Sequence, residues 1–180
     1  MDRIKFKDKE FRIFIRHEDI QKAVVEVAGK INTELKGKKP LLLGVLNGAF
    51  MFAADLMKNL DNGCEISFVK YSSYSGTAST GKINTLIGFN ETIKGRVVVI
   101  LEDIVDTGIT LENLLKSISE FEPAEVKIAT LLFKPNAYTK NIKLDYVGME
   151  IPNDFIVGYG LDYEGLGRNL KDIYKIVDKV

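Results

Sequence analysis

The sequence predicts an α/β fold: a mainly parallel central sheet flanked by helices. Three observations carry that prediction. The apolar runs at residues 41–46, 97–101 and 126–133 are continuous rather than alternating, as in strands buried on both faces of a parallel sheet. The first two runs pass through a short turn into a stretch of helical periodicity, which is the strand–loop–helix unit of such folds. No apolar run is long enough to span a bilayer, and hydrophobic content of 46% with 28% charge is ordinary for a globular chain.

Taken in order, Phe11, Ile13 and Ile15 alternate with Arg12 and Phe14 and predict a short strand with a partly polar face. From Glu18 onward, Ile20, Val24, Val27, Ile31 and Leu35 form the stripe of a helix that Gly37 ends. His17, just ahead of it, reads as a helix-start or cap residue. It is the only histidine, so neither a Ser-His triad nor a multi-histidine metal site is available. Pro40 opens the run 41–46, and Asn47-Gly48-Ala49 turns it into a helix carrying Phe50, Ala54, Met57 and Leu60. Alone, residues 46–49 could equally be a plain βα turn.

Residues 64–69 predict a third strand. The stretch 71–81 is small, polar and almost without anchors, so it is either a functional loop or a flexible surface hairpin. Tyr74 is an aromatic with little local reason to be there.

The run 97–101 then meets the adjacent acids Glu102 and Asp103, a third acid Asp106, and the series Thr107-Gly108-Ile109-Thr110. Leu111, Leu114, Leu115, Ile118 and Phe121 follow at helical spacing. Such a strand, polar loop and helix N-terminus make an anion site, because backbone N–H groups point outward and the helix dipole favours negative charge. Gly108 lets the backbone approach a phosphate closely. Three carboxylates beside that cradle would repel an anion unless something positive or hydroxylated lay between, and a ribose with Mg²⁺ would serve. The plain alternative is a strand–turn–helix whose acids complement the helix dipole.

Pro123 breaks the chain before the strand at 126–133, which ends in Lys134-Pro135. A lysine there lies on the ligand edge of an α/β sheet or, alternatively, faces solvent before a turn. The last third loses helical periodicity. Short strands at 144–149 and 155–159 are followed by Gly158, Gly160, Gly165 and Gly167, with Asp162 and Arg168 among them. This reads as a small hood, since ~40 residues could not fold alone.

The 180 residues suit one domain. Lys plus Arg and Asp plus Glu number 25 each, so nothing suggests a basic nucleic-acid surface. The single Cys64 excludes an internal disulfide framework and suits a reducing cytoplasm. The charged stretch 1–9 does not read as a signal peptide.

The stretch 97–110 resembles the binding loop for phosphoribosyl pyrophosphate in type I phosphoribosyltransferases. That resemblance implies the family's fold, with a small hood and a mobile loop. The hood would come mainly from residues 135–180, with the N-terminal strand. It further implies that Glu102 and Asp103 accept the ribose hydroxyls, while Asp106, Thr107, Gly108, Ile109 and Thr110 wrap the 5′-phosphate. Leu46, Asn47 and Gly48 are similar to the family's pyrophosphate loop. Asn47 stands where the family usually has lysine, which removes a positive charge and leaves the backbone donors. The resemblance implies a cis peptide between Leu46 and Asn47. Ser73 and Tyr74 would close over the pyrophosphate, with residues 83–89 as the returning strand.

The tail resembles the hypoxanthine-guanine branch, on Lys134-Pro135, Ile151-Pro152, residues 155–159, Leu161-Asp162-Tyr163 and Arg168. On that resemblance Lys134 donates to O6 of the purine, Phe155 stacks on it and the Ile156 backbone reads its edge. Asp162 lies by the base and holds a second Mg²⁺, with Glu102 and Asp103 as the other metal-binding acids, and Arg168 reaches the pyrophosphate. The expected partners are phosphoribosyl pyrophosphate and a 6-oxopurine in a homodimer or homotetramer, with no nucleic acid and no membrane. Asp106 would serve as general base. Two alternatives share these residues: a nucleotide-sensing RNA-binding regulator on the same fold, and an enzyme whose base preference is shifted toward xanthine.

Overall fold

The computed structural model describes residues 2–61, 63–70 and 93–177. Along the chain these give β1 (Arg3–Phe6), β2 (Lys9–Ile15), α1 (His17–Glu34), β3 (Leu41–Leu46), α2 (Phe50–Lys58), β4 (Glu65–Lys70), β5 (Val97–Val105), α3 (Ile109–Ser119), β6 (Glu125–Phe133), β7 (Tyr146–Glu150), β8 (Ile156–Val157) and β9 (Ile173–Ile176). The expected loop at 71–81 and strand at 83–89 lie outside the described residues.

Five strands form one parallel sheet in the order β4-β3-β5-β6-β7. Its continuous apolar runs follow from helices on both faces. Leu42, Val99, Leu101, Ala129 and Leu131 pack with α1 and α2. Leu41, Leu43, Val98, Ile100 and Ile128 pack with Leu111, Leu114 and Ile118 of α3. Because strand side chains alternate between faces, both sets must be apolar. Among the described residues no helix is long and apolar enough to cross a membrane.

Three expectations are corrected. The buried face of α2 is Phe52, Ala53 and Leu56, not Phe50 and Ala54, both of which are exposed. β5 runs on through both acids to Val105 instead of ending before Glu102. The strand placed at 144–149 with the hood is β7, which pairs in parallel with β6 and closes the main sheet. Gly148 permits that approach, since a Cβ there would lie 2.7 Å from the Leu131 carbonyl oxygen.

A second, antiparallel sheet has the order β1-β2-β9-β8 and joins the two ends of the described chain around Phe11, Val157 and Tyr174. Neither β1 nor β9 is apparent in the sequence pattern. His17 begins α1, as its position suggested, and its backbone N–H donates to Asp172 Oδ1 at 2.7 Å, tying the helix start to this hood sheet.

Candidate active site

Strand order reverses between β3 and β5, so the loops that follow them diverge and leave a crevice at the carboxyl ends. On the β5 side the chain turns at residues 106–108 into α3. Gly108 caps that helix at φ +83°, in the left-handed region that favours glycine. A side chain there is also excluded by space: a Cβ would lie 2.5 Å from the Tyr138 ring and 2.9 Å from Lys140 Cγ.

The segment 138–140 is thus a strap across the turn. The Thr139 backbone N–H and Oγ1 both donate to the Thr107 carbonyl, at 3.3 and 3.2 Å. Lys140 Nζ donates to Glu112 Oε2 at 3.0 Å. Sequence reading missed this strap, because nothing local marks residues 138–140 as neighbours of residue 108.

A cavity of about 240 Å³ opens over the turn, walled by Glu102, Ile104, Val105, Asp106, Thr107, Gly108, Thr110 and Leu111. Ile109 is exposed and not among its walls. The strand pleat divides the paired acids, since successive side chains on β5 face opposite ways. Glu102 lines the cavity, whereas Asp103 packs beneath the loop after β3. A Cβ on Gly48 would fall 1.6 Å from Asp103 Oδ2, so only glycine leaves room for that carboxylate. The Leu46–Asn47 peptide is cis, as expected.

Burial pushes both acids upward from the ordinary carboxylate range. For Glu102 the neighbouring charge of Asp103 adds to burial. For Asp103 the backbone N–H of Ile104 and the charge of Arg168 pull the other way without overcoming burial.

Lys134, at the end of β6, is buried at 8% exposure and donates to Asp106 Oδ2 at 3.0 Å. The solvent-facing alternative for this lysine is therefore excluded. The Ile151 N–H bonds to the Phe133 carbonyl at 2.8 Å, so the segment leading to Phe155 starts beside the end of β6. Phe155 is 46% exposed, with its ring edge-on to Tyr163 at 5.9 Å. Ile156 is buried in β8 opposite Lys175.

Arg168 Nη2 lies 2.5 Å from Asp162 Oδ1, and the other oxygen of Asp162 accepts the Gly165 N–H at 2.6 Å. Among the described residues no three Asp, Glu, His or Cys side chains gather into a metal-holding group, so Glu102, Asp103 and Asp162 do not form one cluster. Ser73 and Tyr74 lie outside the described residues.

The sequence model of the phosphoribosyl transferase domain matches residues 14–164. The chain is 43% identical over 170 residues to the hypoxanthine-guanine phosphoribosyltransferase of Streptococcus pneumoniae, covering 94% of each chain. It is 41% identical over 160 residues to the enzyme of the same name from Bacillus subtilis, covering 88% of this chain and 89% of that one. Among solved structures, a hypoxanthine-guanine phosphoribosyltransferase of Bacillus anthracis superposes with a TM-score of 0.85 at 36% identity, over 97% of this chain and 99% of that one.

Proposed function

Since the chain belongs to the phosphoribosyl transferase family, we propose that it moves the 5-phosphoribosyl group from phosphoribosyl pyrophosphate to N9 of hypoxanthine or guanine, giving the nucleoside 5′-monophosphate and pyrophosphate. The observation that carries the choice of base is the pairing of Lys134 Nζ with Asp106 Oδ2 at 3.0 Å, beside the cavity. A 6-oxopurine presents O6 and N7 side by side on one edge. Lysine can only donate and an ionised carboxylate can only accept, so O6 suits Lys134 and a protonated N7 suits Asp106. Adenine would turn an amino donor toward the lysine. The exposed Phe155 ring offers a stacking platform, worth roughly 1–3 kcal/mol per base.

In the proposed reaction the turn at 107–110 binds the 5′-phosphate through backbone N–H groups and the start of α3. Glu102 from the cavity wall and Asp103 from beneath the loop after β3 would each accept a hydrogen bond from a ribose hydroxyl, while Arg168 and the amides of the loop at 47–49 bind pyrophosphate. Mg²⁺ fits this donor set: Glu102 and Asp103 are hard oxygen donors whose burial disfavours their charge, and Asp162 lies near enough to Asp103 to add to that cost. Mg²⁺ commonly binds through one or two carboxylates together with phosphates and water, which asks for no cluster of three acids. When bound, it neutralises charge building on the departing pyrophosphate. N9 attacks C1 of the ribose as pyrophosphate leaves through an oxocarbenium-like state, and Asp106 takes the proton from N7 as general base.

The test is a spectrophotometric assay with phosphoribosyl pyrophosphate, Mg²⁺ and each purine in turn. Hypoxanthine or guanine should be converted and adenine should react poorly. Adenine turning over as fast as hypoxanthine would overturn the assignment.

A further inference from the structure

Residues 158–160 hold three consecutive positive φ angles: +104° at Gly158, +47° at Tyr159 and +99° at Gly160. Two of these positions are glycine. A tyrosine in the left-handed region is strained, and such a residue persists only where its surroundings hold it. The surroundings are specific. The Tyr159 side chain is buried, and its hydroxyl donates to Asp55 Oδ2 of α2 at 2.7 Å. The same carboxylate accepts from Gln21 Nε2 of α1 at 2.8 Å and from Lys58 Nζ at 2.8 Å. Burial works against the charge on Asp55, yet these three bonds outweigh it and keep the group below its ordinary range.

The main chain of this turn reaches the crevice. Gly160 N–H donates to the Arg168 carbonyl at 3.0 Å, and Arg168 Nη1 donates back to the Gly160 carbonyl at 2.6 Å. A Cβ on Gly160 would lie 2.0 Å from the Gly48 carbonyl oxygen, so the glycine backbone rests directly on the loop after β3. One hydroxyl buried between the hood and the helices therefore sits one residue from the contact between that loop and the arginine.

We propose that Tyr159, through its hydroxyl on Asp55, is a positioning residue for pyrophosphate: it seats Gly160 against Gly48 and thereby fixes Arg168 relative to the loop at 46–48. The inference rests on the reading of those residues as the pyrophosphate subsite. The hydroxyl touches no reacting atom and acts only through the placement of Gly160.

The test is calorimetric titration of the wild type, Tyr159→Phe, Asp55→Ala and the double variant with magnesium pyrophosphate and, separately, with inosine 5′-monophosphate. Tyr159→Phe keeps the buried ring, and Asp55→Ala approaches the same bond from the other side. Each single variant should weaken pyrophosphate about tenfold, with the double variant no weaker than Asp55→Ala. The Tyr159–Asp55 bond, the only one that acts on Gly160, is already lost in each single variant, while the Gln21 and Lys58 bonds that Asp55→Ala also removes lie away from the crevice. The monophosphate engages the α3 turn and the base site, so its affinity should stay within about twofold. Unchanged pyrophosphate affinity in Tyr159→Phe, or equal loss for both ligands, overturns the positioning role. A wild type that binds neither ligand overturns the functional reading itself, and this inference with it.

Discussion

Asp106 and Lys134 directly follow the neighbouring strands β5 and β6, and their contact is the smallest unit in which the chemistry can be tested. Asp106→Asn keeps the side-chain shape and removes the base, so kcat should fall by about 10²–10⁴-fold. Affinity for phosphoribosyl pyrophosphate should survive, because the turn at 107–110 is untouched. Single-turnover kinetics with parallel calorimetry would separate the two, and an unchanged kcat would leave Asp106 a structural partner of Lys134. At this scale the residue types were legible, since acids, Thr107 and Gly108 follow a continuous apolar run in order. The placement of Glu102 and Asp103 on opposite sides of β5 was not. It depends on β5 running on to Val105, which sends the two side chains to opposite faces. Polar residues in a strand's last turns carry no local signal of continued pairing; Glu102 stays in the ladder opposite Thr130 of β6.

At the level of elements, the turn into α3 makes two demands on residue 108: a left-handed backbone, and room beneath Tyr138 and Lys140 that a side chain would fill. Gly108→Ala should cost about 1–3 kcal/mol from the backbone conformation, before any displacement of the strap. Urea unfolding would show this as a lower midpoint, with weaker binding of the monophosphate by calorimetry. An alanine variant as stable as the wild type would mean that the strap yields freely. The strands β3, β5 and β6 were readable because burial on two faces writes a continuous apolar run. The face of α2 was not, because nearly every position of the segment Phe50–Lys58 is apolar and only packing selects Phe52, Ala53 and Leu56. The strand β7 misled for the opposite reason. Only Tyr146 of its five residues is buried, so an edge strand of the main sheet looks like a strand of the hood.

Across the whole molecule, the end of the sheet opposite the crevice is held by a charge network. Lys127, 6% exposed, pairs with Glu34 Oε1 at 2.6 Å and Glu125 Oε1 at 3.0 Å, and Tyr146 donates to Glu34 Oε2 at 2.8 Å. The Glu34 bond holds Lys127 above its ordinary range, and bonds from Lys127 and then Tyr146 hold Glu34 below its own. A raised base stabilises fully below its unfolded value of about 10.4 and loses that stability as pH rises through its folded value. A lowered acid stabilises above its unfolded value of about 4.3 and loses that stability as pH falls through its folded value. Lys127→Met should therefore be less stable than the wild type at neutral pH, with a gap that narrows below pH of about 4 and kcat unchanged. Urea unfolding across that range would decide it, and a constant gap would reduce Lys127 to a packing role. The hood sheet was the least legible part of the fold, because its strands are short, partly polar and paired between distant segments. That pairing has a consequence for a chain made from its N-terminus. Phe11 and the edge of β2 that pairs with β9 must wait uncovered until Ile173–Ile176 has left the ribosome, long after the parallel sheet has its strands. The hood surface that carries Phe155 and Arg168 therefore takes shape after the sheet that carries Asp106 and Lys134, so the two halves of the crevice are made at different times.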